Sequence, residues 1–586
     1  MDAFAALYRS MSAKRRRHLV LTMLVMLAGA FAEMLTIGAA LPFLALVASE
    51  PGQQGPAHAL MLGLGFESEG IVLAAAMLLA SAAVAAALVR LLLLWMIQRF
   101  VEAVGHDLST NIFGRMLRQP YDLYVRQNSS ELLAGMEKIR SVVFGMVQPA
   151  MQGIVAACIA IFVGTLLFII DPYTTLLAAA CVAAVYAALT LFTYRRLRRN
   201  SVALAQAATA RTKIIQEGLG GIRDILLDRS QPHFEARFGT IDSRYRHAYA
   251  ANAFMAAAPR FVVEAAGIVA IAFVAYIMSR QPGGIVEAIP VLGALALGAQ
   301  RLLPLLQQAY SGWSQTAGNL HALTEVVALM ETTAACGSDV GADAPPTPFC
   351  RDIVFDAVSF RYGSGDIVLH DVDLTIRKGA RIGIGGRTGS GKTSLLDLLM
   401  GLLEPTGGEI RIDGHKLDDV SRGSWQAQLA HIPQTVYLVD ATIEANIAFG
   451  AEDPVDRQRI EAAARAAHLH HFVQELPAGY DTVVGERGIR LSGGQRQRIG
   501  IARALYKRAS VLVLDEATNA LDEETEAAIM TSVMNLDPGM TIIIVSHRRS
   551  TLAGCSRILT VAAGTLVEID AELPETRREG AASLPM

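Results

Sequence analysis

Gly386-Arg-Thr-Gly-Ser-Gly-Lys392-Thr393 matches G-x-x-x-x-G-K-[ST] and decides the fold of the second half of this chain. It follows the apolar stretch Arg381-Ile-Gly-Ile384 and precedes Ser394-Leu-Leu-Asp-Leu-Leu-Met400, which is the strand–loop–helix context the pattern requires. Gly386, Gly389 and Gly391 allow the backbone N–H groups of Arg387, Thr388 and Ser390 to close around phosphates at a helix N-terminus. Lys392 is expected to reach the β- and γ-phosphates of a nucleotide, and Thr393 to hold Mg²⁺.

Further along, Val511-Leu-Val-Leu-Asp515-Glu516 reads as a buried strand ending in two carboxylates. An acidic pair at a strand end is ordinarily a solvated turn. Beside a phosphate loop it acquires chemistry: Asp515 supports Mg²⁺ and Glu516 polarises the attacking water as general base. Short apolar strands alternating with helices over residues 351–570 give an α/β domain.

Between these motifs lies Leu491-Ser-Gly-Gly-Gln495, where Ser492, Gly493 and Gly494 open a helix and form a second cradle for a γ-phosphate. On this motif, residues 351–570 resemble the ATP-binding cassette (ABC) ATPases. The resemblance implies that Ser492, Gly493, Gly494 and Gln495 act in trans, so that two cassettes sandwich two ATP molecules. It implies that Tyr362, in Phe-Arg-Tyr-Gly, stacks on adenine, and that Gln434, in Ile-Pro-Gln, touches Mg²⁺. His547, in Val-Ser-His, resembles the switch histidine at the γ-phosphate, and Asp522, in Asn-Ala-Leu-Asp, the loop that crosses the dimer interface. Asn519 stands where relatives often have Ser. Gly485-Glu-Arg-Gly488 resembles the segment that senses the transmembrane helices in exporters. No catalytic position is degenerate, so an active ATPase with ATP and Mg²⁺ is expected.

The first half is of another kind. The chain has 586 residues, 52% hydrophobic and 18% charged, with mean hydropathy +0.37. That is more apolar and less charged than a soluble globule, and it excludes a disordered or collagen-like chain. The excess lies in six stretches: Leu19–Ser49, Ile71–Gln98, Val142–Ile170, Tyr173–Tyr194, Phe254–Ser279 and Ile285–Gln308. Each reaches the roughly 20 residues a helix needs to cross hydrocarbon. The fold class is therefore a membrane α-helical domain of six transmembrane helices, exporter-like, joined to an α/β P-loop cassette. Residues 1–330 form the first domain, 331–350 a Pro-rich linker, 351–570 the cassette and 571–586 a short tail.

Charge sets the topology. Lys14-Arg-Arg-Arg17 precedes the first span and Arg195-Arg-Leu-Arg-Arg199 follows the fourth, whereas residues 50–70 hold no Lys or Arg. The positive-inside rule then puts both termini in the cytoplasm. The first span is too long for a signal-peptide core and reads as a retained anchor. The long connections 98–141 and 195–253 are rich in helix formers and should continue the helices out of the membrane. Turning points fall at Pro120-Tyr121 and Gly218-Leu-Gly-Gly-Ile-Arg-Asp224.

The net charge of −3 is the difference between 51 basic and 54 acidic residues, and the basic runs have a topological explanation, so no nucleic acid is expected as a partner. Cys158, Cys181, Cys336, Cys350 and Cys555 show neither C-x-x-C spacing nor a disulfide framework.

One cassette per chain leaves a composite ATP site incomplete, so the working unit is a dimer, most simply a homodimer. Fusion of membrane and nucleotide halves in this order resembles ABC exporters.

Three arginines interrupt the apolar stretches: Arg90, Arg260 and Arg301. Counted from Ile71, Arg280 and Ile285, a rise of 1.5 Å per residue places them about 29, 30 and 24 Å inward, at similar depth. Intramembrane arginines mark a ligand or cavity, and guanidinium suits phosphate and pyrophosphate. Snorkelling to inner-leaflet headgroups is the competing reading. Glu264 lies one turn from Arg260, Glu33 is a candidate counter-ion from the first span, and Arg90 and Arg301 have no acid in their own spans.

Phe31-Ala-Glu-Met-Leu-Thr-Ile-Gly-Ala-Ala-Leu-Pro-Phe43, Pro120-Tyr-Asp-Leu-Tyr-Val-Arg-Gln-Asn-Ser-Ser-Glu131 and the three arginines resemble bacterial flippases for lipid-linked oligosaccharides. The resemblance implies movement of a polyprenyl-diphosphate glycan from the cytoplasmic to the outer leaflet. It departs from a long helical insert at 50–70, where His58–Phe66 has the pattern of a short amphipathic helix. A general lipid or amphiphilic-drug exporter is the alternative. A peptide exporter with its own leader peptidase is disfavoured because no Cys precedes Cys158.

Overall fold

The computed structural model describes residues 2–48, 61, 70–126, 129–170, 172–279, 284–335, 348–451, 454–518, 522–535 and 537–569. The expected helix at 58–66 lies outside these residues except for Met61, and so do Asn519, Cys336 and the 571–586 tail. The chain forms two units, Met1–Gln119 with Arg126–Gly337, and Pro120–Val125 with Ser338–Met586.

The first unit is helical: α1 (Asp2–Ser10), α2 (Ala13–Ala48), α3 (Ile71–Leu117), α4 (Tyr121–Arg126, grouped mostly with the second unit), α5 (Ser129–Val142), α6 (Gln148–Ile170), α7 (Pro172–Gly220), α8 (Ile222–Leu227), α9 (Gln231–Ser279), α10 (Gly284–Gly318) and α11 (Leu320–Ala335). The six expected spans fall on α2, α3, α6, α7, α9 and α10. Among the described residues, Ala13–Ala40, Ile71–Leu117, Ser130–Ile169 and Gln231–Val269 are long and apolar enough to cross a membrane. The other two run partly over residues whose side chains are not described.

Helix lengths explain the long polar connections. At 49 residues each, α7 and α9 extend about 74 Å, more than twice the roughly 30 Å of hydrocarbon. Both therefore continue well beyond the apolar stretch that nucleates them. The turning points fall where the breakers are: α3 ends ahead of Pro120, and α7 gives way to α8 at Gly221. Helix α11 runs through Ala335, so the first five residues of the 331–350 segment are helical.

Packing within the bundle uses small residues. A Cβ on Gly312 of α10 would lie 2.4 Å from the Pro149 carbonyl and 2.9 Å from Gly153 Cα of α6, so these helices meet backbone to backbone. One π-helical turn, Val143–Val147, joins α5 to α6, and its Gly145 carbonyl accepts from Asn319 Nδ2 at 3.1 Å. Met26, Phe100, Val101, Val104, Ile112, Val142 and Leu323 fill the buried seam, while Leu191, Phe254, Phe261 and Ile268 face outward. Large apolar side chains turned outward along whole helices are what a lipid solvent requires, and water disfavours them.

The second unit holds two sheets. Strands β1 (Asp352–Arg361), β2 (Ile367–Arg377), β4 (Gly407–Ile412) and β5 (His415–Lys416) form an antiparallel sheet in the order β2-β1-β4-β5. Strands β3 (Arg381–Gly386), β6 (Leu429–Ile432), β7 (Val511–Asp515), β8 (Thr541–Val545), β9 (Arg557–Ala562) and β10 (Thr565–Ile569) form the other, in the order β10-β9-β3-β8-β7-β6. In this second sheet only the β9–β10 pair is antiparallel. Strand β8, Thr-Ile-Ile-Ile-Val, is buried on both faces, as a central parallel strand must be. Its Val545 pairs with Ile384 of β3 and with Asp515 of β7. That register brings the carboxyl ends of three strands to one edge, where ligands of parallel sheets bind.

Candidate functional site

The phosphate loop leaves β3 at Gly386 and enters α12 (Lys392–Leu399) at Gly391. Gly386 has φ +139° and Gly391 φ +106°. A Cβ on Gly386 would stand 2.6 Å from the Val561 carbonyl, and one on Gly391 would stand 2.9 Å from Leu369 Cδ2. Backbone conformation and space thus both require glycine at these two turns. Ser390 Oγ is buried without a hydrogen-bond partner among the described residues. The Lys392 ammonium is held above the loop by the carbonyls of Gly386 (2.8 Å) and Arg387 (3.1 Å) and lies 3.4 Å from His547 Nε2. Thr393 is exposed beside it, while Arg387, Thr388 and Gly389 form the outer turn.

Glu516 stands just past β7 with φ +47°, and its N–H donates to the Val545 carbonyl at 2.9 Å. Both of its carboxylate oxygens are engaged. Gln434 Nε2 donates to Oε2 at 2.7 Å, and His547 Nε2 lies 2.7 Å from Oε1. Three loops that are remote in sequence therefore converge on one carboxylate beside Lys392. Asp515 occupies the last position of β7, and burial together with the neighbouring Glu516 charge pushes its carboxyl above the ordinary range, against the pull of Lys392.

Tyr362 packs edge-on against Phe360 at 4.8 Å between ring centroids, and its hydroxyl is 3.1 Å from Ser394 Oγ of α12. The resemblance alone gave it a role beside the loop, and the fold puts it next to α12.

The residues expected to act in trans sit at two other helix N-termini. Ser492 caps α13 (Gly493–Lys507): its Oγ accepts from Gln495 N–H at 3.2 Å while Gln495 Oε1 accepts from Ser492 N–H at 2.8 Å. This is a reciprocal capping box. Gly493 and Gly494 are the first two residues of that helix. Asp522 caps α14 (Glu523–Met534) by accepting from Thr525 N–H at 2.9 Å, which holds its carboxyl below the ordinary range. Arg487, within Gly485–Gly488, has φ +53°.

Sequence reading missed Asp397. It lies on α12, buried, and burial with the nearby Asp515 charge pushes its carboxyl up to about 6. The available signal was a single acid within Ser-Leu-Leu-Asp-Leu-Leu-Met.

In the first unit, Arg90 of α3 forms an ion pair with Glu33 of α2. Arg90 has no acid in its own span, as read from the sequence, and Glu33, the candidate counter-ion from the first span, is the carboxylate it meets. Arg260 Nε donates to Glu264 Oε1 at 2.8 Å, one turn along α9. Both guanidinium side chains remain half-exposed or more, at 51% and 60%. Arg301 lies on α10, and its side chain is outside those described.

Two family models match this chain. Residues 369–519 match the model described as ABC transporter, and residues 22–281 match that of the ABC transporter transmembrane region. The ATP-dependent lipid A-core flippase of Alkalilimnicola ehrlichii is 32% identical over 492 residues, covering 81% of this chain and 80% of its own. The protein of the same description from Chromohalobacter salexigens is 32% identical over 474 residues, covering 79% and 80%. Among solved structures, a bacterial Atm1-family ABC exporter with ATP bound superposes with TM-score 0.77 at 24% identity, covering 95% of this chain and 96% of its own, a likeness of fold alone. The chain belongs to the ABC transporter family: it is an integral membrane exporter half-transporter whose cassette couples ATP hydrolysis to translocation.

Proposed function

We propose that this protein works as a homodimer in a bacterial inner membrane, with both termini and the cassettes cytoplasmic, and flips a polyprenyl-diphosphate-linked oligosaccharide to the outer leaflet. One observation carries the substrate class. Two guanidinium groups, Arg90 and Arg260, are half-exposed or more on helices read as membrane spans, in a chain whose relatives are described as lipid A-core flippases. Guanidinium binds diphosphate through paired hydrogen bonds, and the polyprenyl tail stays in lipid. Arg301 completes the set, and a dimer gathers it twice. Glu33 and Glu264 keep the cations neutralised in hydrocarbon until an anionic headgroup replaces them, which lowers the cost of holding charge in the membrane.

In the cassette, Glu516 serves as general base and His547 as the switch that aligns it. Gly386, Arg387, Thr388, Gly389, Ser390, Gly391 and Lys392 hold the phosphates, and Tyr362 carries the adenine. Ser492, Gly493, Gly494, Gln495 and Asp522 serve the partner's nucleotide. Thr393, Asp515 and Gln434 present a hydroxyl, a carboxylate and an amide oxygen, a hard-oxygen set suited to Mg²⁺. Gln434 has its amide nitrogen on Glu516, which leaves the amide oxygen for a cation, and Asp515 is held above the ordinary carboxyl range by burial and by the neighbouring Glu516 charge. When bound, Mg²⁺ supplies charge neutralisation at the β- and γ-phosphates. The domain boundaries that go with this reading are 1–330, 331–350 and 351–570.

The relatives' description favours a second reading, lipid A-core as the substrate. ATPase activity in nanodiscs separates the two. A polyprenyl-diphosphate oligosaccharide should stimulate turnover several-fold and lipid A-core much less. The reverse order would give the second reading, and equal stimulation by neutral amphiphiles would give a general exporter.

A further inference from the structure

The 2.7 Å contact between Glu516 and His547 joins two loops, and each loop is tied from behind to one buried side chain. Glu526, in the first turn of α14, is 6% exposed. Its Oε1 accepts from Thr518 Oγ1 at 2.9 Å and from Thr551 Oγ1 at 2.6 Å, and its Oε2 accepts from Arg548 Nη1. Thr518 is two residues after Glu516. Arg548 directly follows His547, and its N–H is bonded to Ser546 Oγ at 3.0 Å, so the turn that carries His547 is closed on itself. Glu526 N–H also donates to the Asp522 carbonyl at 2.8 Å, at the cap of the same helix.

We propose that Glu526 is a positioning residue for ATP hydrolysis: its carboxylate locks the Glu516 loop and the His547 loop into register and ties both to the α14 N-terminus at Asp522. The inference rests on the roles proposed above for Glu516, His547 and Asp522. A carboxylate buried in a cassette core opposes folding unless it is fully paired, and here two hydroxyls and a guanidinium pair it. Burial works against its charge, but the bonds from Thr551, Thr518 and Arg548 outweigh that and hold its carboxyl below the ordinary range. The arrangement has a mechanical consequence. Displacement of α14 at Asp522 reaches the catalytic pair through bonded groups on both sides, and an ångström at a catalytic pair is enough to change the rate strongly.

The test uses the full chain in proteoliposomes. It reads kcat and KM for MgATP per nucleotide-binding cassette, together with the thermal midpoint. Glu526→Gln keeps the shape but presents an amide to Arg548, and should lower kcat about tenfold with KM within about twofold. Glu526→Asp keeps the charge one methylene short and should recover part of the loss. Thr518→Val and Thr551→Val remove one donor each at constant volume and should lower kcat by smaller factors at unchanged KM. They carry the test should Glu526→Gln fail to fold. Unchanged kcat per binding-competent cassette in these variants, or Glu526→Asp no better than Glu526→Gln, overturns the proposal. Glu516→Gln runs alongside. If it retains turnover, the catalytic assignment has failed; if it is inactive while the Glu526 and Thr variants are normal, only the positioning role has failed.

Discussion

His547 Nε2 and Glu516 Oε1 stand 2.7 Å apart, although 30 residues and one strand separate them in the chain. The contact follows from strand order. Strand β8 lies between β3 and β7, its last residue Val545 is level with Asp515, and the chain leaves both strands on the same side. Parallel packing thus delivers base and switch to one place beside the phosphate loop.

Glu516→Gln should lower ATP turnover by about 10²-fold or more while leaving ATP binding intact, because the amide keeps the volume and the Gln434 side of the network but loses the basicity. Steady-state ATPase rates with parallel nucleotide-binding measurements check this. Loss of binding and turnover together would assign Glu516 to nucleotide affinity.

Ser492→Asp separates two roles of one side chain. Asp caps a helix as well as Ser, so the thermal midpoint should hold. A negative charge facing a γ-phosphate should nevertheless reduce ATPase activity more than tenfold, at about 1.4 kcal/mol or more of like-charge opposition. Activity at the unaltered level would leave Ser492 as a helix cap alone.

Asp397 gives the cassette a pH dependence of known sign. Its folded value of about 6 lies above the unfolded carboxyl value of about 4, so the folded chain binds the proton more tightly. Stability from this group is fully present below pH ~4, falls as pH rises through the window from ~4 to ~6, and stays reduced above it. Asp397→Asn should therefore raise the thermal midpoint of the nucleotide-free chain at pH 7.5 and lose its advantage near pH 4. Equal midpoints at pH 7.5 would refute the burial argument. Relief of Asp515 from its like-charged neighbour adds in the same direction.

Arg90 and Glu33 should behave as a pair. Removing Arg90 alone takes away the guanidinium that Glu33 pairs with, a loss of about 3–5 kcal/mol for a buried partner and less where the guanidinium is half-exposed. Arg90→Ala should thus lower the thermal midpoint in detergent more than Arg90→Ala combined with Glu33→Gln. Additive losses in the cycle would mean that the two groups do not interact.

The phosphate loop, the acidic strand end and the six apolar stretches were legible because each is a local pattern of turn glycines, strand burial or span length. The Arg90–Glu33 pair was legible in part: Glu33 stood out as a candidate counter-ion, but depth along one helix does not say which arginine it faces. Asp397 and Glu526 were hidden for a related reason: a lone acid in an apolar or acidic run looks solvated until the sheet and its neighbours close over it. Ser492-x-x-Gln495 was legible as a phosphate cradle through the family motif, whereas its reciprocal capping box shows once the helix N-terminus is built.

The decisive measurement is leaflet-to-leaflet movement of a polyprenyl-diphosphate oligosaccharide in proteoliposomes. Movement should require ATP and be abolished by Glu516→Gln. The Arg90→Ala, Arg260→Ala and Arg301→Ala triple variant, with its ATPase retained, should move the substrate at least tenfold more slowly, by the loss of about 1.4 kcal/mol or more of charge-assisted headgroup binding. Full ATPase activity without movement of this lipid, or movement indifferent to the three arginines, would contradict a flippase with a basic diphosphate site.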